Sequence, residues 1–189
     1  MLRIWGRTNS INVQKVQWCC HELGLDYDQT DAGLHFGVTD TPEYLAMNPN
    51  RLVPTIEDGE VRLWESNVIV RYLAHQYGAG SLCPANIATR FDAERWMDWQ
   101  ATAFWPVLRP LFIALIRTAA TERDASVVSK SEALSLSAVR ILDQRLTIAF
   151  FSPAMPSQWA IYLRRRRFIA GIRSTSTVRN CRMCVAGMT

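Results

Sequence analysis

Cysteine is scarce in this chain: 189 residues carry five, an odd number in no regular framework. That excludes a disulfide scaffold and fits a reducing compartment. Cys181 and Cys184 have the spacing of a redox or zinc pair. No second cysteine pair and no histidine pair accompanies them, so no metal is expected. Long apolar runs are also lacking, and Arg3 and Arg7 flank only a short one near the start. Neither a signal peptide nor a membrane span is therefore expected, and the expected location is the cytoplasm. Internal repeats and low-complexity segments are missing as well. Acidic residues are absent from residue 152 onward, where residues 164–167 are four consecutive arginines. Such a tail either binds nucleic acid or anionic lipid or is simply a solvated end. It has Phe168 but no aromatic residue beyond it to stack bases, so neither nucleic acid nor membrane is an expected partner.

What is present is a chain with 49% hydrophobic residues and a net charge of +4, enough for one domain or two small ones. Leu2 to Trp5 alternates and predicts a first strand, and a polar turn leads to a helix over about 12–23. Val13, Val16, Cys20 and Leu23 recur there at helical spacing, and Gly24 supplies a stop. Residues 27–30 predict a second strand, 55–64 an antiparallel hairpin around Asp58-Gly59, and 66–77 a helix. Between them, residues 31–41 form a glycine-containing loop in which His35 or Phe36 is placed to close over a ligand or to do nothing.

The stretch 48–67 is the most informative. Val53 precedes Pro54 and is held extended, so its N–H and C=O are free to pair with an extended peptide. A cis Val53–Pro54 bond would make that edge rigid. Ser66 stands where a helix N-cap would be, with Glu65 before it, and the hydroxyl, the amide N–H groups and the helix dipole converge on a point that suits a carboxylate. The same residues also fit an ordinary hairpin followed by a capped helix.

Val-Pro, a hairpin and then Glu65-Ser66-Asn67 resemble the glutathione-binding half of the cytosolic glutathione S-transferases. The likeness covers roughly residues 1–146 and points to a bacterial-type member with a serine or asparagine active site. It implies an α/β thioredoxin-like N-terminal domain of order βαβ then ββα with a mixed sheet, over residues 1–80. In the family the Val53 backbone before a cis Pro54 pairs with the cysteinyl unit of glutathione, and Glu65 and Ser66 hold the γ-glutamyl group. Where the family often has Gly and then a basic or amide residue before Val-Pro, this chain has Arg51 and Leu52. Arg51 is carried over as the residue toward the glycine carboxylate. Serine-type members carry their activating hydroxyl where Ser10 stands, and some bacterial members place an asparagine at the sulfur where Asn12 stands. Ser10 ranks first, Asn12 second and Thr8 third. From spacing alone Ser10 is equally a plain N-cap.

The chemistry implied is addition of the glutathione thiolate to a small apolar electrophile, with glutathione as co-substrate and a homodimer as the assembled form. Only the thiolate attacks usefully, and lowering a thiol of pKa about 8.5 by about two units takes roughly 2.7 kcal/mol. One hydrogen bond to a charged acceptor gives about 1.5–3 kcal/mol and a helix N-terminus about 0.3–1, so one hydroxyl and one dipole suffice. Cys19 and Cys20 lie well past the first turn of their helix and are poor nucleophiles there. A non-catalytic glutathione-binding protein of the same fold is the rival reading.

Residues 78–84, with Gly78, Gly80 and Pro84, read as a linker. Beyond it, 86–146 predicts an all-α domain, with Leu134, Ala138, Ile141 and Leu142 in register on its last helix. By the resemblance, Trp105, Leu108, Arg109 and Phe112 would wall the acceptor pocket, although an aromatic stripe is more often plain core. From about residue 147 the periodicity fails, and 147–189 reads as an anomalous, poorly packed tail that leaves the helical domain incomplete. Back-translated with permitted codons and read one nucleotide earlier, residues from 154 onward yield GDAFTMGDIPAAAAVHRWY, a family-like helical segment. A frameshift near residue 147 is therefore expected, and with it impaired activity of this polypeptide.

Overall fold

The computed structural model describes residues 1–150, with side chains described through residue 145. By internal contacts it divides into two compact units within one helix, between Ala93 and Glu94.

The first unit is built on four short strands, β1 (Leu2–Trp5), β2 (Tyr27–Thr30), β3 (Thr55–Asp58) and β4 (Val61–Trp64), in the order β2-β1-β3-β4. β1 and β2 run parallel, while β1 with β3 and β3 with β4 run antiparallel. This is the mixed sheet of a thioredoxin-like domain. The strands alternate as their sequences require: Leu2 and Ile4 of β1 are buried, and Ile56 of β3 joins them. Two helices, α1 (Ile11–Leu23) and α3 (Ser66–Tyr77), pack against each other, and Val13, Val16, Cys19 and Cys20 of one and Ile69, Val70, Leu73 and Ala74 of the other are buried. Gly24 in the left-handed conformation closes α1, its N–H reaching the carbonyls of Cys20 and His21. The short α2 (Pro42–Met47) begins at Thr41, whose hydroxyl accepts from the Tyr44 amide at 3.3 Å.

The glycine-rich stretch after α3 is packed rather than free. Leu82 and Cys83 are buried, a Cβ on Gly78 would lie 2.7 Å from the Leu23 side chain, and the Gly80 amide donates to the Cys83 carbonyl. A helical run follows from Ile87 to Arg117, comprising α4 (Ile87–Trp99), a π-helical turn (Gln100–Phe104), α5 (Trp105–Phe112) and a second π turn (Ile113–Arg117). Pro106 and Pro110 interrupt the donor series of this run, and the widened turns carry the helix past them without ending it. By length and composition the run is apolar enough to cross a membrane, which the reading of the sequence did not anticipate. Its Phe104, Leu108 and Leu111 nevertheless form the core of the second unit with Val139 of α6 (Ala125–Phe150).

On α6 the buried face is the expected one only in part. Ala138 and Leu142 pack against this core, but Leu134 and Ile141 are about half exposed, whereas Ser131, Ser135 and Val139 are buried. The small Ser135 lets α6 approach α5 closely: its hydroxyl lies 3.2 Å from the Val107 carbonyl and 2.7 Å from that of Ser131. The expected anomalous tail, its four arginines and the Cys181/Cys184 pair lie outside the described residues.

Candidate functional site

Strand register decides which loops meet. Trp5 pairs with Thr30 and with Thr55, and Thr55 pairs with Trp64, so one row across the sheet runs Thr30, Trp5, Thr55, Trp64. The segments adjoining that row therefore gather at one end of the sheet: residues 6–10 after β1, 31–37 after β2, 53–54 before β3 and 65–66 after β4. Each holds a residue expected at the site.

The Val53–Pro54 bond is cis. Val53 makes no backbone–backbone hydrogen bond among the described residues, so its N–H and C=O form an open edge. Gly6 and Gly33 crowd this residue from two sides. A Cβ on Gly6 would stand 2.5 Å from the Val13 side chain and 3.3 Å from Val53 Cβ; one on Gly33 would stand 2.8 Å from Arg7 Nη1 and 3.4 Å from Val53 Cγ1. Only glycine allows this approach.

Behind Val53, a buried polar network fixes the loop. Tyr44, Asn48 and Thr55 are each at most 2% exposed. The Tyr44 hydroxyl donates to the Leu52 carbonyl and lies 2.8 Å from Thr55 Oγ1, while Asn48 Nδ2 donates to the Leu52 carbonyl at 2.9 Å and to Thr55 Oγ1 at 3.0 Å. Asn48 Oδ1 accepts from the Asn50 amide at 3.0 Å. Burial raises the Tyr44 pKa, keeping the phenol a donor. Reading the sequence missed all three residues; the Asn48-Pro49-Asn50 turn was the signal available.

Ser10 occupies the N-cap of α1 and is buried, yet its side chain makes no capping bond. Its backbone fulfils the cap instead: its amide donates to the Arg7 carbonyl and its carbonyl accepts from the Gln14 amide. Asn12 is half-buried in the first turn. Thr8 is exposed, its hydroxyl accepting from Gln29 Nε2 at 3.3 Å.

At the start of α3 the structure shifts the cap by one residue. Glu65, not Ser66, is the N-cap, because its carbonyl already accepts the first helical bond, from the Ile69 amide at 2.9 Å. Glu65 sits at φ 69 and its side chain does not cap the helix. Ser66 is the first helical residue and is 5% exposed. Its neighbour Asn67 is also buried, and Lys15 Nζ of α1 donates to its Oδ1 at 2.9 Å. Burial pushes Lys15 down to about 8, with the Glu65 carboxylate pulling the other way. Lys15 and Asn67 were also missed from sequence.

The other expected residues fall elsewhere. Arg51, at φ 57, pairs with Asp40 at 3.3 Å, both well exposed. His35 and Phe36 stack with each other, 4.0 Å between centroids, in a short exposed turn between Gly33 and Gly37. Cys19 and Cys20 are fully buried and pushed up to about 12, chiefly by burial, so neither is a thiolate. Trp105, Leu108, Arg109 and Phe112 do not form one wall. Leu108 is core and Trp105 packs against that core, while Phe112 sits 5.7 Å from Trp105 and beneath the Arg117 guanidinium. Arg109 is exposed and lines a separate concavity with Ile113, Thr118 and Arg123.

Comparison with known proteins gives a consistent picture. Residues 1–75 match the family model described as glutathione S-transferase, N-terminal domain. The chain is 46% identical over 133 residues to glutathione S-transferase GstB of Escherichia coli, an alignment covering 69% of this chain and 64% of GstB. It is 35% identical over 133 residues to glutathione S-transferase 3 of Zea mays, covering 68% of this chain and 60% of that one. Among solved structures it resembles the theta class glutathione S-transferase of Xanthomonas axonopodis pv. citri with glutathione bound. That likeness has 36% identity and a TM-score of 0.75 and covers 92% of this chain and 98% of the other. The chain thus spans just under two thirds of the length of the curated relatives it matches.

Proposed function

Because the chain belongs to the glutathione S-transferase family, we propose that its first unit binds glutathione and that the bound thiolate is transferred to a small apolar electrophile. The observation that carries this reading is the gathering, at one end of the sheet, of the open Val53 edge, the buried Ser66 at the start of α3 and the Ser10 hydroxyl left unspent by α1.

Each part has a chemical task. The cysteinyl backbone of glutathione pairs with the N–H and C=O of Val53, held by the cis bond and by the Tyr44–Asn48–Thr55 network beneath it. The γ-glutamyl carboxylate sits on Ser66 at the start of α3, where the helix dipole favours an anion. Glu65 takes the γ-glutamyl ammonium. Ser10 donates its hydroxyl hydrogen to the sulfur and favours the thiolate by about one to two pKa units. Asn12 and the α1 dipole assist. The thiol proton leaves to solvent, a sulfur–carbon bond forms at the electrophile, and its leaving group departs with the bonding pair. Arg51 faces the glycine end once Asp40 releases it. The protein works as a cytoplasmic homodimer.

The test is retention of the full 189-residue chain on immobilised glutathione, with elution by free glutathione and a Ser66→Ala control, followed by turnover of an activated aryl chloride. Retention lost in the control supports the binding half, and chloride release lost in Ser10→Ala supports the transfer half. Failure of the natural chain to be retained refutes the reading, whereas retention without turnover reduces it to a glutathione-binding protein.

A further inference from the structure

Glutamine on an edge strand ordinarily bonds to water, yet Gln29 of β2 spends every bond described for it on the protein. Gln29 pairs in register with Ile4, two residues before Gly6, so its side chain rises on the same face of the sheet as Ile4. There α1 meets it: Gln17 Nε2 donates to Gln29 Oε1 at 2.6 Å. With its oxygen taken by α1, the amide of Gln29 turns its nitrogen to the loop between β1 and α1. Its two hydrogens go to the Gly6 carbonyl at 2.8 Å and to Thr8 Oγ1 at 3.3 Å. A second glutamine of α1, Gln14, donates from Nε2 to the Thr8 carbonyl at 2.9 Å, and the Ser10 amide donates to the Arg7 carbonyl at 3.1 Å.

The successive carbonyls of Gly6, Arg7 and Thr8 thus each have a donor. The loop offers the Ser10 hydroxyl, which makes no capping bond, no bare carbonyl to turn to. Holding the loop to the sheet needs less than this, since the Gly6 amide already extends the ladder to the Thr30 carbonyl at 2.8 Å. What the loop delivers is Ser10, and a hydroxyl stabilises a thiolate only while it is aimed at the sulfur. We propose that Gln29 is a positioning residue for the transfer reaction: braced by Gln17 and aided by Gln14, it fixes the loop between β1 and α1 so that the Ser10 hydroxyl stays aimed at the sulfur of bound glutathione. This rests on the reading above in which Ser10 favours the thiolate, and deepens it. Gln29 touches neither the sulfur nor the electrophile; it acts through the backbone of residues 6–8.

The experiment uses the full chain and a cycle of Gln29→Leu, Ser10→Ala and the double variant. Glutathione affinity is read by calorimetry, the pKa of the bound thiol from thiolate absorbance, and kcat and KM with an activated aryl chloride. Gln29→Leu is expected to lower kcat roughly three- to tenfold and to raise the pKa of bound glutathione by about half a unit to one unit. Affinity and KM for glutathione should stay within about twofold. In the Ser10→Ala background the same change should move kcat by less than about twofold, because the group it positions is gone. Gln17→Leu, which removes the brace and keeps Gln29, reproduces part of the loss. Tyr77→Phe, which removes a surface bond to Asp58 in the same unit, leaves kcat and the bound thiol pKa unchanged. Equal kcat losses in the two backgrounds, a change confined to KM, unchanged kinetics in Gln29→Leu, or the same loss in Tyr77→Phe overturns the proposal in favour of a merely structural role. If Gln29→Leu does not fold, the cycle run with Gln17→Leu decides by the same criteria. If Ser10→Ala itself changes neither kcat nor the thiol pKa, the underlying reading fails and Gln29 has nothing to position; if Ser10→Ala changes both and Gln29→Leu neither, this inference alone fails.

Discussion

The polar network beneath Val53 makes a quantitative prediction about coupling. Hydrogen counting assigns every bond. The Tyr44 proton goes to the Leu52 carbonyl, so the Thr55 proton goes to Tyr44, and the two protons of Asn48 Nδ2 go to Leu52 and Thr55. Tyr44→Phe leaves both Leu52 and Thr55 served by Asn48, and should cost about 1–1.5 kcal/mol for one net bond. Asn48→Ala removes two donors and the acceptor for the Asn50 amide, but Tyr44 still serves both partners; about 2–3 kcal/mol is expected. The double variant differs in kind. Thr55 is fully buried and loses every partner it has in the network, which adds an unsatisfied-hydroxyl penalty of about 1–3 kcal/mol beyond the sum. Urea unfolding of the full chain measures the totals, and amide exchange in β3 assigns the loss to the first unit. Glutathione affinity should fall in the same order, since the loop that aims Val53 loosens in that order. Additivity within about 0.5 kcal/mol, or a double variant less damaged than the sum, would refute the network as a cooperative unit.

Three further outcomes follow from the same structure. Ser10→Ala should lower kcat and raise the pKa of bound glutathione by about one to two units, read from thiolate absorbance, without lowering the thermal midpoint by more than about 0.5 kcal/mol of stability; the hydroxyl makes no capping bond to lose. Cys19 and Cys20, held near 12 in the fold, should resist iodoacetamide at neutral pH and react only at the rate of global unfolding, as followed by mass spectrometry. Lys15 gives stability a pH dependence. Its folded value of about 8 lies below the ordinary 10.5, so between those values the unfolded chain binds more protons and stability rises with pH. The stability of the natural chain relative to Lys15→Met, from urea unfolding, should climb from pH 8 to 10 by at most about 3 kcal/mol; the comparison cancels the opposite slope of Cys19 and Cys20, whose raised values make the unfolded chain lose their protons first.

The parts of the fold legible in the sequence are those set by local chemistry. Asp58-Gly59 gave the hairpin and Gly24 the end of α1, and α3 has the limits expected of it. Val53-Pro54 marked the site because proline restricts its neighbour whatever lies around it. What escaped depends on partners distant in the chain. Lys15 and Asn67 are 52 residues apart, and nothing at either position announces the other. Tyr44 reads as one more apolar residue on a short helix until Thr55 and Leu52 come beside it. The cap of α3 was misplaced by one residue because serine is a commoner cap than glutamate, and only the observed bond from Ile69 to the Glu65 carbonyl decides between them. On α6 the apolar pattern at Leu134 and Ile141 competed with a serine track that allows closer helix approach, and the closer approach won.

A comparison among the helix starts gives the strongest argument for the site. α2 begins with the Thr41 hydroxyl on the Tyr44 amide, α4 with Asn86 Oδ1 accepting from the Thr89 amide at 3.0 Å, and α6 with Asp124 Oδ1 accepting from the amides of Ser126 and Val127. Each such cap is worth about 1 kcal/mol. The two helices that begin at the gathered end of the sheet have none: Ser10 holds a capping side chain at the right position and leaves it unused, and Glu65 turns its backbone into the left-handed region without capping. A chain that caps its helices wherever the start faces only solvent, and omits the bond at both starts facing one point, keeps amide N–H groups and hydroxyls there for something else. Those groups are donors, and two helix dipoles add positive potential, so the missing partner is an anion or a pair of them. A peptide bearing a carboxylate at one end and a thiolate in its middle supplies both.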